Sequence, residues 1–366
     1  MVNRSKKVDI KLTSPLKPSF ENLMTNIRLV YDNDTLTNMG PFHNEFETKL
    51  AKFHGLHDCC LVNNATTGLL LCLKFLVAKG EVITTPFSFA ATTHVLNFLD
   101  LKPVFCDIEA HSPNLDPSKI ERLISKDTTA ILATHCYGIP CDVEKIARIA
   151  EKYNLKVIYD AAHAFGQRVL DHSIFEFGDA SVLSLHATKI FNSIEGGAIF
   201  SKKSNLDLLK KARNFGITGD DVFVSLGINA KLSEFHALFG LLNFDEFHDS
   251  FVGRKRVARV YKDNLDKAIQ VMMKLDGTDN LSYFPIVFRS ESERERAYNA
   301  LKNKGIKSRK YFAPLLSNNK DDHEKFNNAE FLVRRVLCIP IFKELTDQQA
   351  KKICVIINEA IYDSDI

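Results

Sequence analysis

Lys156-Val157-Ile158-Tyr159-Asp160-Ala161-Ala162-His163 reads as a buried strand that ends on a carboxylate, with two small residues and a histidine after it. An acid at the C-terminal end of an apolar strand stands where open α/β sheets bind ligands. The segments around it have the same grain. Short apolar runs at 59–62, 82–84, 102–107, 129–134 and 198–201 alternate with helical periodicities at 43–54, 69–76, 117–124, 142–153 and 206–215. Strands alternating with helices predict a largely parallel sheet covered on both faces.

A second stretch, Ser184-Leu185-His186-Ala187-Thr188-Lys189-Ile190-Phe191-Asn192, runs on through Ser193-Ile194-Glu195-Gly196-Gly197. A lysine set after an apolar run, beside hydroxyl groups and ahead of a Gly-Gly turn, is an unusual place for a solvated cation. With its pKa depressed by desolvation and neighbouring cations, Lys189 can form a Schiff base with an aldehyde cofactor. The competing reading is one more exposed lysine. Paired with Asp160 the site suits pyridoxal 5′-phosphate, whose pyridine nitrogen needs an anion and whose aldehyde needs an amine. The strand 59–62 leads through Asn63-Asn64-Ala65-Thr66-Thr67-Gly68 into a helix, and the orphan N–H groups there, with the Thr66 and Thr67 hydroxyls, can hold a phosphate. An ordinary N-cap reads the same way.

The 366 residues allow two domains, divided here as 1–250 and 251–366, with the exit on a long helix around 247–254. The later part, with strand 281–288 and helices 293–304 and 347–362, is enough for a small α+β domain. A loop marked by Gly216, Gly219 and Gly227 precedes that long helix. Hydrophobic content of 45% and charged content of 25% are globular values, and a net charge of +3 without a basic aromatic stripe gives no nucleic-acid signal. Eight cysteines without a C-x-x-C pair read as small buried hydrophobes in a reducing compartment, not as a disulfide framework or zinc site. With a polar start and no membrane-length apolar run, a soluble cytoplasmic protein is expected.

From Leu36-Thr37-Asn38 through Asp160-Ala161-Ala162-His163-Ala164-Phe165-Gly166 and Ser184-x-His186-x-Thr188-Lys189 to Cys338-Ile339-Pro340, the chain resembles the DegT-type sugar aminotransferases. Within that family it looks most like the members that make dTDP-4-amino-4,6-dideoxyglucose. The resemblance implies the aspartate aminotransferase fold type I, with a large domain on a mostly parallel seven-stranded sheet and a small C-terminal α+β domain. It implies that Lys189 carries the cofactor and moves a proton, that Asp160 pairs with the pyridinium, and that Phe89 stacks on the ring where many members have Trp. His163 would stand near the phenolic oxygen, with a pH dependence of its own. Thr66, Thr67 and Ser184 would hold the phosphate, Lys231, in Asn229-Ala230-Lys231-Leu232, would reach it from the neighbouring subunit of a homodimer, and Asn229 is a further cofactor-binding candidate.

Thr37, Asn38, His186, Arg309 and Tyr311 are the candidates for the sugar nucleotide, and Arg309 and Lys310 can neutralise a diphosphate. The implied reaction moves the amino group of L-glutamate to C4 of a dTDP-4-keto-6-deoxyhexose, releasing 2-oxoglutarate. Amination at C3, galacto stereochemistry at C4, a dehydratase on the same fold and a non-catalytic module are the alternatives. No metal is implied.

Overall fold

Seven strands form the central sheet: β1 Cys60–Val62, β2 Glu81–Thr84, β3 Lys102–Phe105, β4 Thr128–Thr134, β5 Lys156–Asp160, β6 Ala180–Ser184 and β7 Gly197–Ser201. The structure is a computed structural model and describes residues 10–77, 79–169, 171–218, 222–274, 279–317 and 326–362. In space the order is β1-β7-β6-β5-β4-β2-β3, and only β7 runs antiparallel to its neighbours.

Both faces of this sheet are covered, and the side chains divide between them with a period of two. Leu61, Ile131, Ala133, Val157, Tyr159 and Leu183 join one core, while Cys60, Val62, Ala130, Leu132, Ile158 and Val182 join the other. Successive strand residues point to opposite faces, so a strand buried on both sides is apolar throughout. The first core also takes in helices α2 (Pro41–Phe53) and α5 (Val143–Tyr153); the second takes in α3 (Ala65–Leu76), α4 (Ala90–Phe98) and α6 (Lys203–Ala212). Helix α5 illustrates the local logic. Asp142 accepts the Lys145 N–H at its start, Val143, Ile146, Ile149 and Ala150 form its buried stripe, and Asn154 ends it in the left-handed region at φ 52°.

Helix α7 (Glu234–Asn264, 31 residues) puts Ala237 and Leu241 into the first core and Val257, Ala258 and Tyr261 into a separate C-terminal core. This C-terminal core packs α8 (Glu291–Asn303) and α10 (Asp347–Tyr362) around an antiparallel sheet of β8 Gln270–Val271, β9 Pro285–Val287 and β10 Val336–Cys338. The remaining helices are α1 (Phe20–Asp32) and α9 (Asn327–Arg335). All eight cysteines are buried and free. Among the described residues no helix is long and apolar enough to cross a membrane.

Several sequence expectations change. The segment 117–124 is not an α-helix but two 3₁₀ turns, Pro117–Lys119 and Glu121–Leu123, too short to offset the cost of an α-helical nucleus. Strand 281–288 shortens to Pro285–Val287, because the residues just before it turn away to bond to the loop after β5. Helices α1 and α9 were not expected. Gly219 lies outside the described residues.

Candidate active site

The crevice opens at the carboxyl ends of β4, β5 and β6. Asp160, the last residue of β5, is 5% exposed, and Thr134 is its register partner on β4. Its Oδ2 accepts the Thr92 hydroxyl at 2.7 Å and its Oδ1 accepts the Ala162 N–H at 3.1 Å. Behind Thr92, Ser88 joins Thr92 (2.7 Å) and Thr134 (3.0 Å), so a chain of hydroxyls fixes the carboxylate. Burial pushes this carboxyl up; the Thr92 and Ala162 bonds and the Lys189 charge pull it back in part.

Lys189 stands in the loop after β6, which is closed by Leu185 N–H to Gly196 (2.9 Å) and Ala187 N–H to Ile194 (2.7 Å). Burial holds its amine down to about 8; Asp160 draws it up and the Arg309 cation draws it down. The amine and the carboxylate therefore stand near enough to sense each other's charge. The Lys189 Nζ lies 3.5 Å from the hydroxyl of Tyr283.

His163 is buried and its Nδ1 accepts the Tyr137 N–H at 3.2 Å. A neutral imidazole bonded in that way carries its proton on Nε2. That nitrogen is 3.5 Å from the Tyr283 hydroxyl. Burial, with the nearby Lys189 charge, holds His163 well below the usual histidine range, so the pH dependence expected of it falls below neutrality. Tyr283 was missed by the sequence reading. It lies in the stretch taken for strand interior, where nothing in the pattern marks a side chain that crosses to another core.

Around Gly197 the strand ends converge. Gly197 pairs with Ser184 on one side and Val62 on the other, and a Cβ on it would stand 2.7 Å from the Ala65 N. Ser184 and the start of α3 thus flank one bare glycine. Asn64 caps α3 by accepting the Thr67 N–H (2.8 Å) and hydroxyl (3.0 Å), which commits the Thr67 proton to the cap and leaves Thr66, exposed at the second helical position, facing outward. The Asn63 N–H bonds to the Ala230 carbonyl at 2.8 Å, bringing the 229–231 segment against the same helix start.

Other candidates lie farther out. Phe89, 51% exposed, begins α4. Thr37 and Asn38 are exposed on a loop fastened by Glu234, whose N–H bonds to Leu36 and whose carboxylate accepts the Phe42 and His43 N–H groups at 2.8 and 3.0 Å. His186 turns to Thr188 (2.8 Å) and Glu195 (3.5 Å). Arg309 lies over the Tyr311 ring at 4.3 Å, and both line a cavity of about 320 Å³ with Lys11, Thr188, Tyr283 and Lys307. Lys310 points elsewhere: both Glu295 oxygens bind it at 2.5 and 2.6 Å, so its charge is already compensated. Asn229 is exposed, and the Lys231 amine donates to Asn214 at 3.0 Å and covers the Phe215 ring. Within one chain neither Asn229 nor Lys231 is brought to Asp160 or Lys189 by a recorded bond.

The family model described as the DegT/DnrJ/EryC1/StrS aminotransferase family matches residues 19–358. A dTDP-4-amino-4,6-dideoxy-D-glucose transaminase from Shigella dysenteriae is 40% identical over 361 residues, covering 96% of this chain and 98% of that protein. One of the same description from Escherichia coli is 39% identical, covering 94% and 96%. Among solved structures, DesI, crystallised in the presence of its TDP-sugar product, superposes with a TM-score of 0.90 at 28% identity over 97% of this chain and 94% of its own.

Proposed function

The chain belongs to the DegT/DnrJ/EryC1/StrS aminotransferase family, and from that premise we propose that it transfers the amino group of L-glutamate to C4 of a dTDP-4-keto-6-deoxyhexose, yielding dTDP-4-amino-4,6-dideoxyglucose and 2-oxoglutarate. The observation that carries the reading is that Asp160 and Lys189 stand near enough to sense each other's charge, with the carboxylate fixed by neutral donors and the amine held down to about 8. The likeness to the two transaminases of that description supports the choice of sugar and nucleotide.

The donor set fits pyridoxal 5′-phosphate, the cofactor of this family. When bound, it supplies an electron-withdrawing ring that stabilises the negative charge left when a proton leaves the carbon bearing nitrogen. Asp160 is the buried anion that a pyridinium requires, and Thr92 and Ala162 hold it in place. The start of α3, Thr66 and Ser184 offer donors for the phosphate around Gly197, where any side chain would fill the cradle, while Thr67 holds that helix start through its cap with Asn64. His163 Nε2–H is the donor for the phenolic oxygen, Phe89 covers the ring, and Lys189, as a free base near pH 8, takes and returns the proton.

Arg309 and Tyr311, with Thr37, Asn38 and His186, form the substrate end of the crevice in this reading. Asn229 and Lys231 serve the phosphate of a second subunit in a homodimer. The apolar surface beside them, with Phe223 73% and Leu226 65% exposed, supports such a partner. The parting at about residue 250 and a cytoplasmic location belong to the same proposal; the two cores joined by α7 and the eight free cysteines support them.

The test is direct. Protein incubated with pyridoxal phosphate, reduced with borohydride and digested should carry the added mass on the peptide containing Lys189. Purified enzyme given glutamate and dTDP-, GDP- or UDP-linked 4-keto sugars should aminate the dTDP sugar best, with NMR of the product reading position and stereochemistry. No label on Lys189 and no amination of any of the three would end the proposal.

A further inference from the structure

Tyr283 stands just ahead of β9 in a cluster with Phe87, Tyr137 and Phe312, and the chain holds it there from several sides. Asn280 Nδ2 donates to the carbonyls of His163 (2.6 Å) and Phe165 (3.1 Å), Ser282 Oγ donates to His163 O at 2.8 Å, and the buried Arg254 of α7 donates to Leu281 O at 3.1 Å. A segment tied down in this way orients the side chain that follows it. The Tyr283 ring meets His163 at 4.7 Å and Tyr311 at 5.5 Å, edge-on to both, and its hydroxyl stands 3.5 Å from Lys189 Nζ and 3.5 Å from His163 Nε2. Asp160, Arg309, His163 and Tyr311 are the other polar groups facing the amine or this hydroxyl.

The hydrogen-bond accounting gives this hydroxyl a definite task. A phenol oxygen accepts two bonds and donates one. The Tyr137 N–H occupies His163 Nδ1, so in the cofactor-free protein Nε2–H fills one Tyr283 lone pair, the bond that the phenolic oxygen of an arriving cofactor would take over. One lone pair and one proton remain for Lys189. When the amine is protonated, Tyr283 accepts from it; when the amine is free, Tyr283 donates to it. Lys189 has a partner in both states.

We propose that Tyr283 is a positioning residue for Lys189, its hydroxyl clamped by His163 and holding the amine in one orientation whether or not that amine carries a proton. The inference rests on the reading of Lys189 as the cofactor-capturing amine. Tyr283→Phe removes the hydroxyl and keeps the ring contacts. Cofactor-free protein is mixed with pyridoxal phosphate at pH 9.5, where the amine is free in either protein, and the rate of capture at Lys189 is followed by absorbance and confirmed by borohydride and peptide mass.

Capture should slow by about tenfold, the scale on which loss of orientation is felt, and kcat should fall while KM for the sugar stays within about twofold. Ser282→Ala loosens the segment but keeps the hydroxyl, so it should lower the melting temperature without slowing capture to that extent. Tyr283→Met, whose flexible thioether fills irregular space, carries the same test if the phenylalanine variant does not fold. Equal capture rates in the wild type and the hydroxyl-free variant overturn this inference alone. Absence of capture at Lys189 in the wild type overturns the underlying reading instead.

Discussion

Asp160 is buried and Lys189 half-buried against their own interest, since removal from water favours the neutral form of each. For Lys189 the sign follows from proton counting. The folded amine releases its proton near 8 and the unfolded one near its ordinary 10.5, so between those values the unfolded chain binds more protons. Stability of the cofactor-free protein should therefore rise with pH across that window, and the penalty is fully present below 8. Lys189→Met should melt above the wild type at pH 7, with the gap closing towards pH 10; a gap constant with pH would count against a depressed amine. Asp160→Asn keeps the shape of the acceptor but removes the charge, and amino transfer should drop by about 100-fold or more, as when a fixed charge is taken from a reacting centre, with glutamate half-reactions as the readout.

Among the elements, α3 carries the most consequence. Its start was read near Leu69, whereas the helix begins at Ala65 because Asn64 caps it. A cap five residues ahead of Leu69 is hard to tell from loop in a polar stretch. Asn64→Ala should cost about 1 kcal/mol in stability and release the Thr67 hydroxyl. Gly197→Ala sets a Cβ 2.7 Å from the Ala65 N, and neither strand nor helix backbone can yield cheaply. That variant should fold less stably in a denaturant melt and bind pyridoxal phosphate several-fold more weakly by equilibrium dialysis. Helix α1 escaped the sequence reading for a different reason. Leu23, Ile27 and Val30 recur at i, i+4 and i+7 and pack against Leu238 and Leu242 of α7, but Phe20, Met24, Leu29 and Tyr31 are exposed, which widens the apolar pattern beyond the stripe that is covered.

In the whole molecule the open question is the second subunit. If Lys231 serves its partner's site, Lys189→Ala and Lys231→Ala proteins fail separately by losing groups from different chains. Mixed after mild dissociation, they should recover about a quarter of wild-type activity, since half the random dimers then contain one intact site of two. No recovery, with mixed dimers demonstrated by native mass spectrometry, would place Lys231 in its own chain's service. Phe223→Asp with Leu226→Asp should shift the protein towards monomer in sedimentation and lower its cofactor affinity.

The sequence alone determined the sheet, because strands buried on both faces must be apolar and parallel neighbours need helical crossovers, and both patterns are local. It also marked Asp160 and Lys189, since an acid at a strand end and a lysine after an apolar run are local anomalies. Only the tertiary structure decided that Tyr283, from a segment 94 positions further along the chain, meets that lysine, that Lys310 is held by Glu295 while Arg309 faces the crevice, and that Thr67 is engaged in a cap. Those outcomes depend on which groups arrive within bonding distance once distant segments pack, and a bond between two side chains is a property of neither segment by itself.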